Sequence, residues 1–240
     1  RGGDRLLDAV TAGRVRQDAD VEVFDVIPKA RAAAAAGRFT AQRYGDDLGA
    51  RAADGVAHVL RRRITSGAEL AEIVRRKAAA GFPVAVHAIG DRANREALDA
   101  FEQTKDAWRP LGLRQRIEHA QLLAPEDVGR FAEIGVTCSV QFTHAPSDRD
   151  LADDYWAGKT GGAYAFRSLL HSGAVVVNGS DAPIEELDPL AGIRAGVRRS
   201  IDDRPAWHPE QTLTVAEAFH ATCVAPAWLA RDERRRGTPL

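Results

Sequence analysis

The stretch Pro83-Val84-Ala85-Val86-His87-Ala88-Ile89-Gly90-Asp91 decides how the rest of the chain is interpreted. A short apolar run ends in a histidine, a glycine breaks the run, and a helical pattern starts at Asp91. Short apolar runs bounded by proline and glycine are typical of buried strands. The pattern therefore predicts a β-strand that presents the His87 imidazole at its C-terminal end, followed by a tight turn into a helix.

The same arrangement occurs at two later strand-like runs. Arg116-Ile117-Glu118-His119 ends in a second histidine, and Val175-Val176-Val177-Asn178-Gly179-Ser180-Asp181 ends in an aspartate. Neutral imidazole nitrogen and carboxylate oxygen are the normal ligands of divalent metals of the zinc type. Three such strand ends favour metal binding by His87, His119 and Asp181, whereas a single histidine at a strand end is more often structural. On spacing alone, both interpretations stay open.

Strand-like and helical segments alternate along most of the sequence, at roughly 20–40 residues per unit, which is the signature of a parallel α/β sheet. No glycine-rich phosphate loop follows a predicted strand, which weighs against a nucleotide-binding fold. Five clear strands and a short sixth run at residues 56–60 are fewer than the eight of a closed barrel. We therefore expect either an open sheet or part of a larger barrel.

The helical segments are predicted from periodicity, capping residues and breakers. A polar segment, residues 143–162, lacks a clear period and is predicted to be a loop. The predicted helices cover residues 68–80, 91–105, 125–134, 163–171, 188–199 and 213–223.

Composition limits the class of protein. The chain has 240 residues, enough for one domain with a sizeable core, and a 45% apolar fraction that is ordinary for a globular protein. A net charge of −1 gives no basis for a nucleic-acid or membrane-surface partner. No apolar run approaches the roughly 20 residues that span a bilayer. Cys138 and Cys223 lie in apolar contexts, which predicts two buried free thiols and a reducing, cytoplasmic location.

Longer motifs surround the three strand ends and one further strand end. They are Val-His-Ala-Ile-Gly-Asp-Arg-Ala-Asn (86–94), Arg-Ile-Glu-His-Ala-Gln (116–121), Ser-Val-Gln-Phe-Thr-His-Ala-Pro-Ser-Asp (139–148) and Asn-Gly-Ser-Asp-Ala-Pro (178–183). Together these four motifs resemble the amidohydrolase superfamily, and specifically its amidohydrolase-3 branch, which includes N-substituted formamide deformylase. The resemblance covers about residues 65–235 and keeps the motifs in the family's order.

This resemblance implies an α/β fold, a partial (β/α)8 TIM-type barrel of the metal-dependent hydrolase fold that comprises roughly the C-terminal five to six βα units. It implies a divalent metal cofactor, usually zinc, and hydrolysis of carbon–nitrogen bonds other than peptide bonds in an amide, formamide or cyclic amide. His87 matches the ligand on the family's fifth barrel strand, and His119 matches the ligand on the sixth. Asp181 matches the aspartate of the eighth strand, which makes it the expected proton shuttle for attack by metal-bound hydroxide.

The N-terminal part departs from the family pattern. No His-x-His motif occurs, no segment corresponds to the family's β-sandwich, and no lysine precedes Asp54-Gly55, where the family has a metal-bridging lysine. We interpret residues 1–240 as a single partial amidohydrolase barrel domain, with a diverged or irregular segment at 38–63 and a frayed tail at 231–240. The alternative is a truncated, catalytically inactive amidohydrolase remnant or partner chain.

Four further residues are candidates for supporting roles. His144 and Asp148 are predicted to contact substrate, with a solvated loop as the alternative. Asp91 and Glu118 are predicted to contact the metal-binding histidines without binding the metal themselves. Asp91 also suits a helix cap, and Glu118 also suits a pair with Arg116. The expected partner is a small-molecule amide-type substrate, without nucleic acid or membrane; a homo-oligomer is left open.

Overall fold

The sheet consists of parallel strands in sequential order. A computed structural model describes residues 65–237 and the backbone of one earlier strand, so the segment at 38–63 lies outside the described residues. Each strand pairs in parallel with the next one along the chain, which confirms the predicted α/β class. The strands are β1 (Asp20–Glu22), β2 (Ala85–Ala88), β3 (Arg116–His119), β4 (Thr137–Val140) and β5 (Val176–Asn178).

Helices connect the strands, as a parallel sheet requires. The connection from β4 to β5 also contains a 3₁₀ turn, Thr160–Gly162, and a π-helical turn, His220–Val224, follows α10. The helices are α1 (Gly67–Ala79), α2 (Asp91–Gln103), α3 (Lys105–Trp108), α4 (Pro125–Val128), α5 (Arg130–Ile134), α6 (His144–Ser147), α7 (Arg149–Tyr155), α8 (Phe166–His171), α9 (Pro189–Arg198), α10 (Val215–Phe219) and α11 (Ala225–Leu229).

Local sequence explains where the longer helices begin. The Ser66 side chain accepts a hydrogen bond from the Glu69 backbone N–H and the Glu69 carboxylate accepts one from the Ser66 backbone N–H, a capping box at the start of α1. Asp188 caps α9 by accepting from the Leu190 N–H, and proline occupies the first turn. These two helix starts follow the sequence prediction.

The core lies between the sheet and the helices that cover its outer face. The apolar side chains of α2 are buried, as are the alternating apolar residues of the strands. Core members from these elements are Ala93, Ala97, Leu98, Phe101, Val86, Ile117, Cys138, Val140 and Val176. Packing on one face leaves the other face and the C-terminal edge of the sheet for polar side chains.

Three predictions about local structure are wrong. The segment predicted as a polar loop, 143–162, contains α6 and α7, because its sparse apolar residues bury one face that includes Ala145 and Ala152. Asp91 does not cap α2: Gly90 occupies the cap position, and Asp91 is the first helical residue. Cys223 is exposed, while Cys138 is buried as predicted.

The predicted tail is described as far as residue 237. Backbone N–H groups of Arg235 and Arg236 donate to the Asp232 carbonyl, and Glu233 pairs with Arg114 at 2.9 Å, so residues 231–237 form turns that contact the domain. Across the described parts of the chain, no helix combines the length and apolarity needed to cross a membrane.

Candidate metal centre

Two histidines meet where β2 and β3 end. The strands pair in register, with His87 opposite Glu118 and Ala88 opposite His119. His119 has a φ of 73°, so the chain turns sharply at this residue and its ring departs from the alternation of the strand. The Nε2 atoms of His87 and His119 face each other, and the two rings are edge-on with centroids 4.0 Å apart.

A glutamine at the end of β4 orients the His119 ring. The Nδ1 atom of His119 lies 2.7 Å from Oε1 of Gln141, an oxygen that only accepts, so Nδ1 carries the proton and donates. The Nε2 atom then has its lone pair available on the side of His87. Metal-binding histidines are typically held in this way by a hydrogen bond to their other ring nitrogen.

His144 and Asp181 complete the group. His144 is the first residue of α6 and is buried, and its ring lies parallel to that of His119, with centroids 5.7 Å apart. Its Nε2 atom lies 3.7 Å from Oδ2 of Asp181. Single ligand atoms of His119, His144 and Asp181 all lie within 4.8 Å of one another. We call these three residues and His87 the histidine cluster.

The donor atoms of the histidine cluster fit a divalent metal. Imidazole nitrogen and carboxylate oxygen form the usual ligand set of zinc, and the cluster supplies both at the C-terminal edge of a parallel sheet. Asp181 has a φ of 55°, and its side chain is 31% exposed, so its carboxylate contacts both His144 and solvent. A group placed like this can bind a cation and still reach a substrate.

The predicted site residues lie in different surroundings in the structure. His119 contacts His87 and belongs to the same group of donor atoms as Asp181. The assignment of all three residues as metal ligands stays a prediction. His144 was predicted to contact substrate, yet it lies among the candidate ligands. Asp148 accepts a hydrogen bond from the Tyr164 hydroxyl at 2.8 Å.

The two residues predicted to support the histidines have other partners in the structure. The Asp91 carboxylate accepts from Lys159 Nζ at 2.8 Å and from the Arg92 backbone N–H at 2.9 Å. Burial raises the pKa of Asp91, but the hydrogen bonds from Lys159 and Arg92 outweigh it and hold the pKa below its ordinary value. Glu118 accepts from Arg116 Nε at 2.5 Å, which is the pairing that the sequence left open.

Sequence reasoning missed Gln141, Gln121 and Tyr164. Gln141 directly follows β4 and Gln121 follows the turn after β3, so both lie at the C-terminal edge of the sheet that carries the predicted ligands. Their position at or just after the end of a predicted strand is the sequence signal that could have identified the two glutamines as site residues. Tyr164 lies in a connection that the sequence assigned to the start of a helix, and nothing in the sequence pattern links it to the site.

The chain belongs to the amidohydrolase family, whose sequence profile matches residues 15–239. The match extends beyond the four motifs and includes the N-terminal segment that departs from the family's ligand pattern. The family and the parallel sheet together define the fold as part of a TIM-type barrel.

Two curated proteins are similar in sequence to this chain. The chain is 37% identical over 165 residues to Protein LONG AFTER FAR-RED 3 of Arabidopsis thaliana, covering 66% of this chain and 28% of that protein. It is 33% identical over 172 residues to putative amidohydrolase YtcJ of Bacillus subtilis strain 168, covering 70% of this chain and 32% of the relative. The chain thus spans about a third of these curated relatives' length.

A solved structure has a similar fold. An uncharacterized metal-dependent hydrolase from Pyrococcus furiosus superposes with a TM-score of 0.62 and 30% sequence identity, covering 74% of this chain and 35% of that protein.

Proposed function

We propose that this chain carries the metal-binding and proton-transfer residues of a hydrolase that cleaves carbon–nitrogen bonds other than peptide bonds. The observation that carries the proposal is the convergence of His119, His144 and Asp181 beside His87 in a member of the amidohydrolase family. The proposed substrate is a small amide, formamide or cyclic amide, and the resemblance to formamide deformylase supports the formamide.

The proposed cofactor is a divalent metal of the zinc type. When bound, such a metal polarises a carbonyl oxygen and lowers the pKa of water to about 7. The residues that would hold it are His87, His119, His144 and Asp181. Gln141 supports this assignment, because its hydrogen bond keeps the Nε2 atom of His119 unprotonated.

The chain's own residues account for the proton transfers. Amide hydrolysis joins the oxygen of water to the carbonyl carbon, breaks the C–N bond and returns a proton to the departing nitrogen. Asp181 is suited to accept the proton from water and pass it to that nitrogen, because its carboxylate is part exposed beside the donor atoms of His144. His144 Nε2 lies 3.7 Å from that carboxylate.

Zinc content and amide turnover of the purified chain test this proposal. We expect His119→Ala to lose most of the bound zinc and the turnover, since it removes a central donor of the cluster. His220→Ala is the matched control, because His220 is exposed and lies on the π-helical turn. A chain that binds zinc equally well with and without His119 would contradict the proposal.

A second candidate is that the chain is an inactive remnant or one part of a composite enzyme. The observation behind this candidate is that residues 1–240 contain no His-x-His motif, so the histidine cluster lacks the two donors that the resemblance leads one to expect. Metal bound without turnover of formamides or amides would support it and contradict catalysis by this chain alone. We also propose a cytoplasmic location, which the two free cysteines support.

A further inference from the structure

A hydrogen-bonded group of Gln121, Asp148 and Tyr164 lies beside the histidine cluster, and we call it the tyrosine cluster. We infer that the tyrosine cluster holds the segments that carry His119 and His144 at a fixed separation. Asp148 is then a positioning residue rather than a group that binds substrate. The consequence for metal binding rests on the proposed function, whereas the joining of the two segments does not.

Three side chains of the tyrosine cluster contact one another directly. The Tyr164 hydroxyl donates to Oδ2 of Asp148 at 2.8 Å, and Nε2 of Gln121 approaches the same oxygen at 3.3 Å. Nε2 of Gln121 also donates to the Tyr164 hydroxyl oxygen. Gln121 and Tyr164 are 2% and 1% exposed, so these contacts form away from bulk water, where hydrogen bonds are strong and costly to break.

Each member is attached to a segment that carries a candidate ligand. Gln121 follows His119 by two residues, after a turn in which both His119 and Ala120 have positive φ. Asp148 lies one helical turn after His144, and its backbone N–H donates to the His144 carbonyl at 2.9 Å. The side-chain contact between Gln121 and Asp148 therefore joins the segment after β3 to the C-terminal end of α6.

Tyr164 is itself held firmly in place. Its backbone N–H donates to the Gln121 carbonyl at 2.6 Å, and its carbonyl accepts from Nη1 of Arg199 at 3.0 Å. The rings of Trp207 and Phe166 contact its ring edge-on, with centroids 5.6 and 6.0 Å away. Its φ of 51° is one that non-glycine residues adopt only when their surroundings impose it.

The Tyr164 hydroxyl stays protonated at neutral pH. Burial and the nearby Asp148 carboxylate both raise the pKa of Tyr164 well above its ordinary value. The hydroxyl is therefore a permanent donor to Asp148 at neutral pH. Loss of this one hydroxyl removes a charge-assisted bond without changing the shape of the core.

Tyr164→Phe in the full chain is the first test, with Tyr155→Phe as the matched control because Tyr155 is exposed on α7. In the metal-free protein we expect amide hydrogen exchange to rise at residues 119–123 and 144–148 and to stay unchanged in α1. With Co²⁺ as the probe, we expect about tenfold weaker binding and an altered visible absorption spectrum. Wild-type exchange at both segments in Tyr164→Phe would overturn the inference.

Asp148→Asn is the second test, with Asp154→Asn, at an exposed position of α7, as its control. A positioning role predicts about a tenfold fall in kcat with little change in KM, together with the exchange increase. A rise in KM at constant kcat and wild-type exchange would show that Asp148 binds substrate, which overturns the inference.

The two proposals fail in different ways. A wild-type chain that binds no Co²⁺ contradicts the proposed function, and the exchange data on the metal-free variants still decide whether the tyrosine cluster joins the two segments. A wild-type chain that binds Co²⁺, and whose Tyr164→Phe variant has the same affinity, spectrum and exchange, contradicts only the role of the tyrosine cluster.

Discussion

Two clusters in this molecule differ in how their charged and polar groups are paired. On the helical layer, the buried Asp127 carboxylate accepts from Nε of Arg95 at 2.8 Å and from Nη1 of Arg130 at 3.0 Å. At the C-terminal edge of the sheet, the histidine cluster brings ring nitrogens and a carboxylate together. The first cluster pairs an acid with cations, whereas the second directs electron-pair donors toward one another.

This difference separates a cluster whose charges are paired within the chain from a candidate metal centre. Burial lowers the pKa of Arg130, but its hydrogen bonds to Glu102, Asp99 and Asp127 reverse this effect, and the pKa is raised. The guanidinium therefore stays charged and the arginine cluster (Asp127, Arg95 and Arg130) is complete within the chain. The donor atoms that face one another in the histidine cluster instead suit a bound cation, which is the basis of the proposed function.

Asp181→Asn should have the largest effect on the histidine cluster. We expect kcat for amide hydrolysis to fall about 10²–10⁴-fold, the usual contribution of a general base, because an amide no longer accepts the proton. The free energy of unfolding should change by less than about 0.5 kcal/mol, because the side chain is part exposed. Steady-state kinetics and urea unfolding measure both quantities.

Asp154→Asn serves as the control for a change of charge at an exposed site. A variant Asp181→Asn that retains wild-type turnover would remove Asp181 from the mechanism, and the histidine cluster would then be at most a binding site.

Gln141→Leu tests whether the histidine cluster depends on its supporting hydrogen bond. We expect zinc affinity to fall about 10–100-fold, because the His119 ring loses the acceptor that sets its orientation and tautomer. Competition titration with a chelating dye measures the affinity, and Gln103→Leu, at an exposed position of α2, is the control. Equal affinity in wild type and Gln141→Leu would show that the ring orientation has another origin.

Asp127→Ala should affect the other cluster alone. We expect the free energy of unfolding to fall by about 1–2 kcal/mol, since two guanidinium groups lose a buried acceptor. The loss is moderate because Arg95 keeps Glu126 and Arg130 keeps Asp99 and Glu102, and both arginines are partly solvated.

Urea unfolding measures this loss, and the zinc content of Asp127→Ala should equal that of wild type. A variant that unfolds like wild type but binds less zinc would invert the comparison between the two clusters.

Lys159→Gln should have the smallest effect, at the exposed pair with Asp91. The pKa of Asp91 is lowered in the folded chain, so the pair stabilises the fold above the ordinary carboxyl pKa, and this contribution is lost as pH falls through the folded value. We expect a loss of about 0.5 kcal/mol at pH 7 that disappears at a pH low enough to protonate Asp91 in the folded chain. Unfolding curves at both pH values measure this loss. An equal loss at low pH would show that packing, and not the ion pair, causes the effect.

The sequence predicted the elements of the sheet more reliably than its surroundings. Proline, glycine and short apolar runs mark β2 and β5 clearly, because a strand packed under helices is rich in apolar residues and ends in a turn. The segment from 143 to 162 was predicted wrongly, because α6 and α7 are short and bury few apolar side chains. Helices of one or two turns owe their stability to tertiary contacts, and these have no periodic signature.

The amino-acid sequence by itself determined the parallel α/β class, the strand ends with His87, His119 and Asp181, and, through its motifs, the family. These depend on local patterns and on residue types in a fixed order. Only the tertiary structure placed His144 beside Asp181 and joined Tyr164 to Asp148. Such contacts connect residues from separate connections of the sheet, and their distances follow from how helices pack and not from the order of residues along the chain.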